Sequence, residues 1–137
     1  MSYQNIYKLT IVNSFMRHPQ EIEVWYIMPA IRKEFCRILL DKHNFTQKEI
    51  AKRLNITEAA VSQYKKEKRG QHVNLPEGVI SEITGSVSKI ADKTSTVFRE
   101  TQNILNYIRD TSTICDIHKL LDNNVESDCK ECILHQK

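Results

Sequence analysis

Apolar and polar positions alternate along this chain in several distinct rhythms, and each rhythm predicts its own kind of element. Tyr3 to Met16 carries Ile6, Tyr7, Leu9, Ile11, Val12 and Phe15, which suits a short helix although its period is ambiguous. His18-Pro19 interrupts it, and Glu21 to Met28, with Ile22, Val24, Trp25, Tyr26 and Ile27, is apolar enough for strand or helix. Pro29 suits the first turn of a helix, where its missing N–H costs nothing. That helix runs from about Ala30 to Lys42 and buries Ile31, Phe35, Ile38 and Leu39. Cys36, beside Phe35, reads as a small buried hydrophobe. Thr46 caps the next helix, with Glu49 completing a capping box. Gly70 closes the following helical region, and a loop over Gln71 to Leu75 leads to Pro76 and a new helix.

From there Ile80, Ile83, Val87, Ile90, Thr94, Val97, Thr101, Ile104 and Ile108 keep a 3-4-3-4 spacing. A seam of this kind predicts one long helix over 76–110. Its narrowness, with polar residues on the other faces, favours a dimerisation helix over a helix lying on its own domain. The expected class is all-α. It comprises an N-terminal segment packing on the dimer (1–28), a helix-turn-helix domain (29–70), the dimerisation helix (76–110) and a cysteine-rich tail (111–137).

The richest local pattern is Gln47 to Tyr64. Ala51, four residues after Gln47, keeps the first helix thin where a second must cross it. Asn55, four further on, stands at the turn and tolerates positive φ. Val61, six beyond, anchors the second helix, while Ile50, Leu54, Ile56 and Tyr64 fill the remaining inward positions. Thr57 is placed to N-cap that second helix. The competing reading, an αα-hairpin that only packs a core, leaves the neighbouring charge unexplained. Lys65-Lys66-Glu67-Lys68-Arg69-Gly70 follows directly. Between Arg32 and Arg69 eleven Lys/Arg stand against five Asp/Glu, whereas Gly70 to Lys137 has seven against ten. A modest net charge of +3 therefore conceals a basic segment that coincides with the motif, as phosphate binding requires.

The pattern implies binding to a double-stranded DNA operator. Gln47 reaches phosphate, Thr57, Glu58, Ser62 and Gln63 face bases with Ala59 exposed on the same DNA-facing surface, and Lys65, Lys66, Lys68 and Arg69 lie along the backbone. Gln63 suits adenine and Glu58 suits cytosine. A homodimer fits this mode, since paired recognition helices reach half-sites about 34 Å apart.

The tail reads Cys115-Asp-Ile-His118, then ten residues, then Cys129-Lys-Glu-Cys132-Ile-Leu-His135. Cys115, His118, Cys129 and Cys132 make a Cys₃His set suited to tetrahedral zinc. The same thiolates suit an iron–sulfur cluster, with His118, His135 or a second-subunit residue as the remaining ligand. A reversible dithiol switch at Cys129 and Cys132, or a simple core role for Cys115, are the other readings. No apolar run is long enough for a membrane span, and no secretory leader is evident, so a cytoplasmic protein is expected. No phosphate-binding glycine loop, paired-carboxylate site, nucleophile elbow or evident small-molecule substrate site is present, and the Cys-x-x-Cys lacks a βαβ context. An enzyme, including a thiol–disulfide redox protein, is accordingly the lowest alternative.

Ile27-Met-Pro-Ala-Ile-Arg-Lys-Glu-Phe35, Thr46-Gln-Lys-Glu-Ile-Ala51, Thr57-Glu-Ala-Ala-Val-Ser-Gln-Tyr64 and Lys68-Arg69-Gly70 together resemble a group of small prokaryotic, largely archaeal, regulators. These carry a Cro/C1-type (XRE-like) helix-turn-helix and a cysteine-containing C-terminal tail. The resemblance covers about Trp25 to Gly70, with a shorter likeness at Cys129-x-x-Cys132-x-x-His135. It implies a transcriptional regulator whose tail binds a metal or an iron–sulfur cluster. The clustering of thiolates next to the expected dimer helix further suggests a cluster that senses redox state, oxygen or iron–sulfur supply. A structural zinc without sensing is the alternative. The chain departs from the group at His118, where a cysteine is common, which puts the fourth ligand in question.

Overall fold

The structure, a computed structural model, describes residues 18–66 and 73–121. All of its elements are helical. They are α1 (Pro19–Ile22), a π-helical stretch (Glu23–Ile27), α2 (Met28–Asp41), α3 (Gln47–Leu54), α4 (Glu58–Lys65), α5 (Glu77–Ala91), α6 (Val97–Asp110) and α7 (Thr113–Leu121). Among the described residues no helix is long and apolar enough to cross a membrane.

α2 is the hub. It packs on α3, α4 and α5; α5 carries α6; α7 lies between α6 and α1. Ile31, Phe35, Ile38 and Leu39, all fully buried, come from one stripe of α2 at helical spacing. The buried side chains form one cluster that runs from Ile22 through the α3–α4 pair to Ile117.

The ambiguous stretch before Pro29 is helical. Proline cannot donate to the carbonyl four residues back, and its ring crowds that carbonyl. The ladder loosens just upstream: Met28 N–H donates to Glu23 O, five residues back, which is the π pattern. The extra residue per turn keeps both Ile22 and Ile27 buried. It also points Glu23 inward, where a lone carboxylate would be costly. Arg109 of α6 answers it with two hydrogen bonds, Nε at 2.8 Å and Nη2 at 3.1 Å. From His18 on, the N-terminal segment thus packs on its own chain, against α7 and α6. Residues 1–17 lie outside the described residues.

The single helix expected over 76–110 is corrected. The chain breaks at Asp92–Thr96, and α6 packs back on α5. Lys93 takes a left-handed conformation (φ 65°), its N–H bonds Ile90 O, and Thr94 N–H reaches back to Lys89 O. This is a Schellman ending built without glycine. Asp92 accepts from Thr94 N–H at 3.0 Å and from its hydroxyl at 2.6 Å, and Thr96 N-caps α6 through Arg99 N–H at 3.1 Å. Five successive polar residues compete for backbone bonds here, which explains the break. The 3-4 stripe survives it, because Ile83, Val87 and Ile90 from α5 and Ile104 and Ile108 from α6 all enter the same core. Those seam residues are therefore buried within the chain and offer no coiled-coil surface. Among the described residues the large apolar side chains left exposed are Val24, Phe98 and Leu120.

Glu100, one turn into α6, is 3% exposed. Burial pushes its carboxyl pKa up, but hydrogen bonds from Ser95 (2.6 Å) and Ser86, with Lys89 and Arg99 nearby, outweigh burial and hold it below its ordinary value of 4.5. A carboxyl depressed in the folded state contributes stability that is present above its unfolded pKa and lost as pH falls through the folded value. Glu100→Gln should therefore lower stability at pH 7, and the gap to the unsubstituted protein should close in urea denaturation below about pH 4. A gap that persists unchanged at low pH would show that the carboxylate charge is not what matters there.

Candidate nucleic-acid interface

The two-helix unit assembles from its own sequence signals. Thr46 Oγ1 accepts from Glu49 N–H at 3.1 Å, and Glu49 Oε2 accepts from Thr46 N–H at 2.7 Å, the reciprocal box the sequence predicts. α3 ends on Asn55 at φ 56°, ψ 44°, the left-handed conformation that asparagine tolerates. Ile56 N–H then bonds Ala51 O at 3.0 Å. Thr57 starts α4 in extended backbone, its Oγ1 accepting from Ala60 N–H at 3.0 Å.

Packing follows the expected pattern. Ile50, Ala51, Leu54, Val61 and Tyr64 are buried, with Val61 fully enclosed, and Ile56 packs half-buried against the same core. The small Ala51 lets α4 cross α3 closely, and α4 also leans on α2. Cys36 on α2 is 1% exposed, and burial pushes its thiol up to about 12, so it stays neutral.

The unit is anchored from below by Arg53, which the sequence reading assigns no role. Its Nη1 donates to Ile90 O at 2.8 Å and Ala91 O at 2.6 Å, capping the carbonyl end of α5. Its guanidinium also stands 5.0 Å from the centre of the Phe45 ring. Nothing in the local sequence marks Arg53, since its partners lie 37 and 38 residues away.

The outward face of α4 is polar. Thr57, Glu58, Ala59, Lys65 and Lys66 are exposed, and Ser62, Gln63 and Gln47 are half-buried. Glu58 stands in the first turn and Lys65 in the last, each complementary to the helix dipole. The Thr57 oxygen is engaged in capping, but its hydroxyl proton remains able to donate outward. Lys33 and Arg37, on α2, line a cavity together with Lys65 at the end of α4. They belong to the basic segment, yet the sequence alone does not show that they meet α4. Lys68 and Arg69 lie outside the described residues.

Of the residues expected to be tail ligands, Cys115 and His118 stand three residues apart on α7 and leave one side of that helix. Cys115 is half-buried and His118 is buried. Among the described residues no three His, Cys, Asp or Glu side chains gather as a metal site. Cys129, Cys132 and His135 lie outside the described residues.

Compared with known proteins, the chain matches no family model, no curated protein and no solved structure.

Proposed function

We propose that this chain is a sequence-specific regulator that binds a double-stranded DNA operator as a homodimer through α3 and α4. The observation that carries the reading is the left-handed Asn55 turn between two short capped helices, followed by an α4 whose outer face is polar and cationic. A helix set across a thin partner in this way presents its N-terminal half to a major groove, with cations flanking it for phosphate. An αα-hairpin serving only the core has no need of a basic outer face.

In this proposal Glu58, Ala59, Ser62 and Gln63 read base edges from α4, with Thr57 at its cap. Gln47 at the start of α3 touches phosphate, and Lys65 and Lys66, with Lys68 and Arg69, hold the backbone. The dimer contact must use a surface other than the α5–α6 stripe, which is buried.

The tail supplies the sensing element. Cys115 and His118 share one side of α7, which fits two ligands of one site, and Cys129 and Cys132 would complete it. Three thiols and an imidazole suit an iron–sulfur cluster or zinc; a cluster would supply a one-electron couple responsive to oxidants. α7 rests on α6 and α1, so a change at its ligands reaches the α5–α6 pair that Arg53 ties to α3.

Selection from a randomised duplex pool by the full-length protein should enrich one operator. Gln63→Ala should weaken that operator about tenfold and relax the preference at one base position. Lys66→Gln should weaken all duplexes alike and lower the salt slope by about one. Failure of the full-length protein to bind any duplex saturably would sink the proposal.

Anaerobically purified protein should be brown, with iron and sulfide near stoichiometry. Cys129→Ala should abolish both. Colourless protein with one zinc per chain would leave a structural staple and move the search for a signal elsewhere.

A further inference from the structure

A cavity of about 390 Å³ opens between α2 and the C-terminal end of α4. Lys33, Cys36, Arg37, Leu40 and Asp41 line it from α2, and Tyr64 and Lys65 line it from α4. Its two surfaces differ in character. The floor is apolar, made by the buried Cys36 and Tyr64 with the half-buried Leu40. Among the described residues the rim is cationic, with Lys33, Arg37 and Lys65 beside one carboxylate, that of Asp41. Arg37 is shared with Glu34 at 2.7 Å and reaches Asp41 at 3.9 Å, so that carboxylate is already faced by a cation.

The volume falls in the range that small molecules occupy, and convergent charge over an apolar floor is how such sites orient a ligand. A DNA phosphate would meet the rim and leave the floor bare. A ligand that fills both needs an apolar body and one acidic group. We propose that this cavity binds a small organic anion, an aromatic or aliphatic body bearing a carboxylate, sulfonate or phosphate, and that its binding weakens DNA binding. The second half rests on the regulator reading above. Its reason is that Lys65 belongs both to the cavity rim and to the cationic end of α4. A ligand that neutralises this lysine withdraws a phosphate contact, and linkage then requires DNA to weaken the ligand by the same factor.

The probe is 8-anilinonaphthalene-1-sulfonate, an aromatic body with one sulfonate, titrated by fluorescence into the full-length protein. Saturable binding at one site per chain is expected. Lys33→Gln and Lys65→Gln should each raise its Kd about fivefold, while Lys52→Gln, an exposed α3 position outside the cavity, leaves it unchanged. Bound duplex should displace the probe from the unsubstituted protein. Unsaturable binding, or binding indifferent to Lys33 and Lys65, overturns the site. Variants that weaken duplex binding alone would assign these cations to DNA phosphate and overturn the small ligand. Charge-dependent probe binding with no mutual effect on duplex overturns the coupling. If the probe result holds and no duplex binds at all, the cavity is supported and only the regulator reading falls.

Discussion

The apolar stripe of α2 is the surface on which the rest of the structure depends. Phe35, Ile38 and Leu39 are fully buried, and α3, α4 and α5 all pack on the helix that carries them. Each such side chain contributes about 1.5–3 kcal/mol on burial, so this shared face is a large part of what holds its neighbours in place. α3 and α4 have only eight residues each, too short to hold as isolated helices in water. Their caps set where they begin, but α2 keeps them folded. The same helix presents Lys33 and Arg37 beside α4, so the element that forms the core also carries part of the charged surface.

Left-handed residues stand at three of the described turns, Asn44, Asn55 and Lys93, and the last two make a contrast. Asn55 lies where its side chain is suited to the conformation, and the α3–α4 geometry follows directly. Lys93 lies where glycine is the common choice, and its strain is offset by the Asp92 and Thr96 hydrogen bonds around it and by the burial of α6 against α5. The Asn55 turn is fixed by a residue's own preference. The Lys93 turn is fixed by what the flanking helices gain when they pack.

Long-range polar contacts join the pieces. Arg109 reaches Glu23 across 86 residues, and Arg53 reaches the end of α5 across 37. Both are arginines meeting groups that would otherwise be buried or left at a helix end without a partner. They make the α3–α4 unit and the α5–α7 region one connected body rather than a reading head with a separate appendage. On the proposed function, this connection is the path by which α7 could bias α4.

The sequence by itself determined what depends on neighbouring residues: the Thr46–Glu49 box, the Thr57 cap, the Asn55 turn, the inward set Ile50, Ala51, Leu54 and Val61, and the neutral buried Cys36. It also showed that charge collects around α2 to α4. Tertiary structure alone decided whether the stripe from Ile80 to Ile108 served one helix or two. A 3-4 spacing is the same in either case, and Thr94, read as a seam position, stands exposed at the turn. It also decided that the segment before Pro29 is helical, that Glu23 meets Arg109, and that Lys33 and Lys65 border one cavity. Periodicity records which face of an element is apolar. It carries no record of what that face meets, because the partner lies tens of residues away and is chosen by the packing of the whole core.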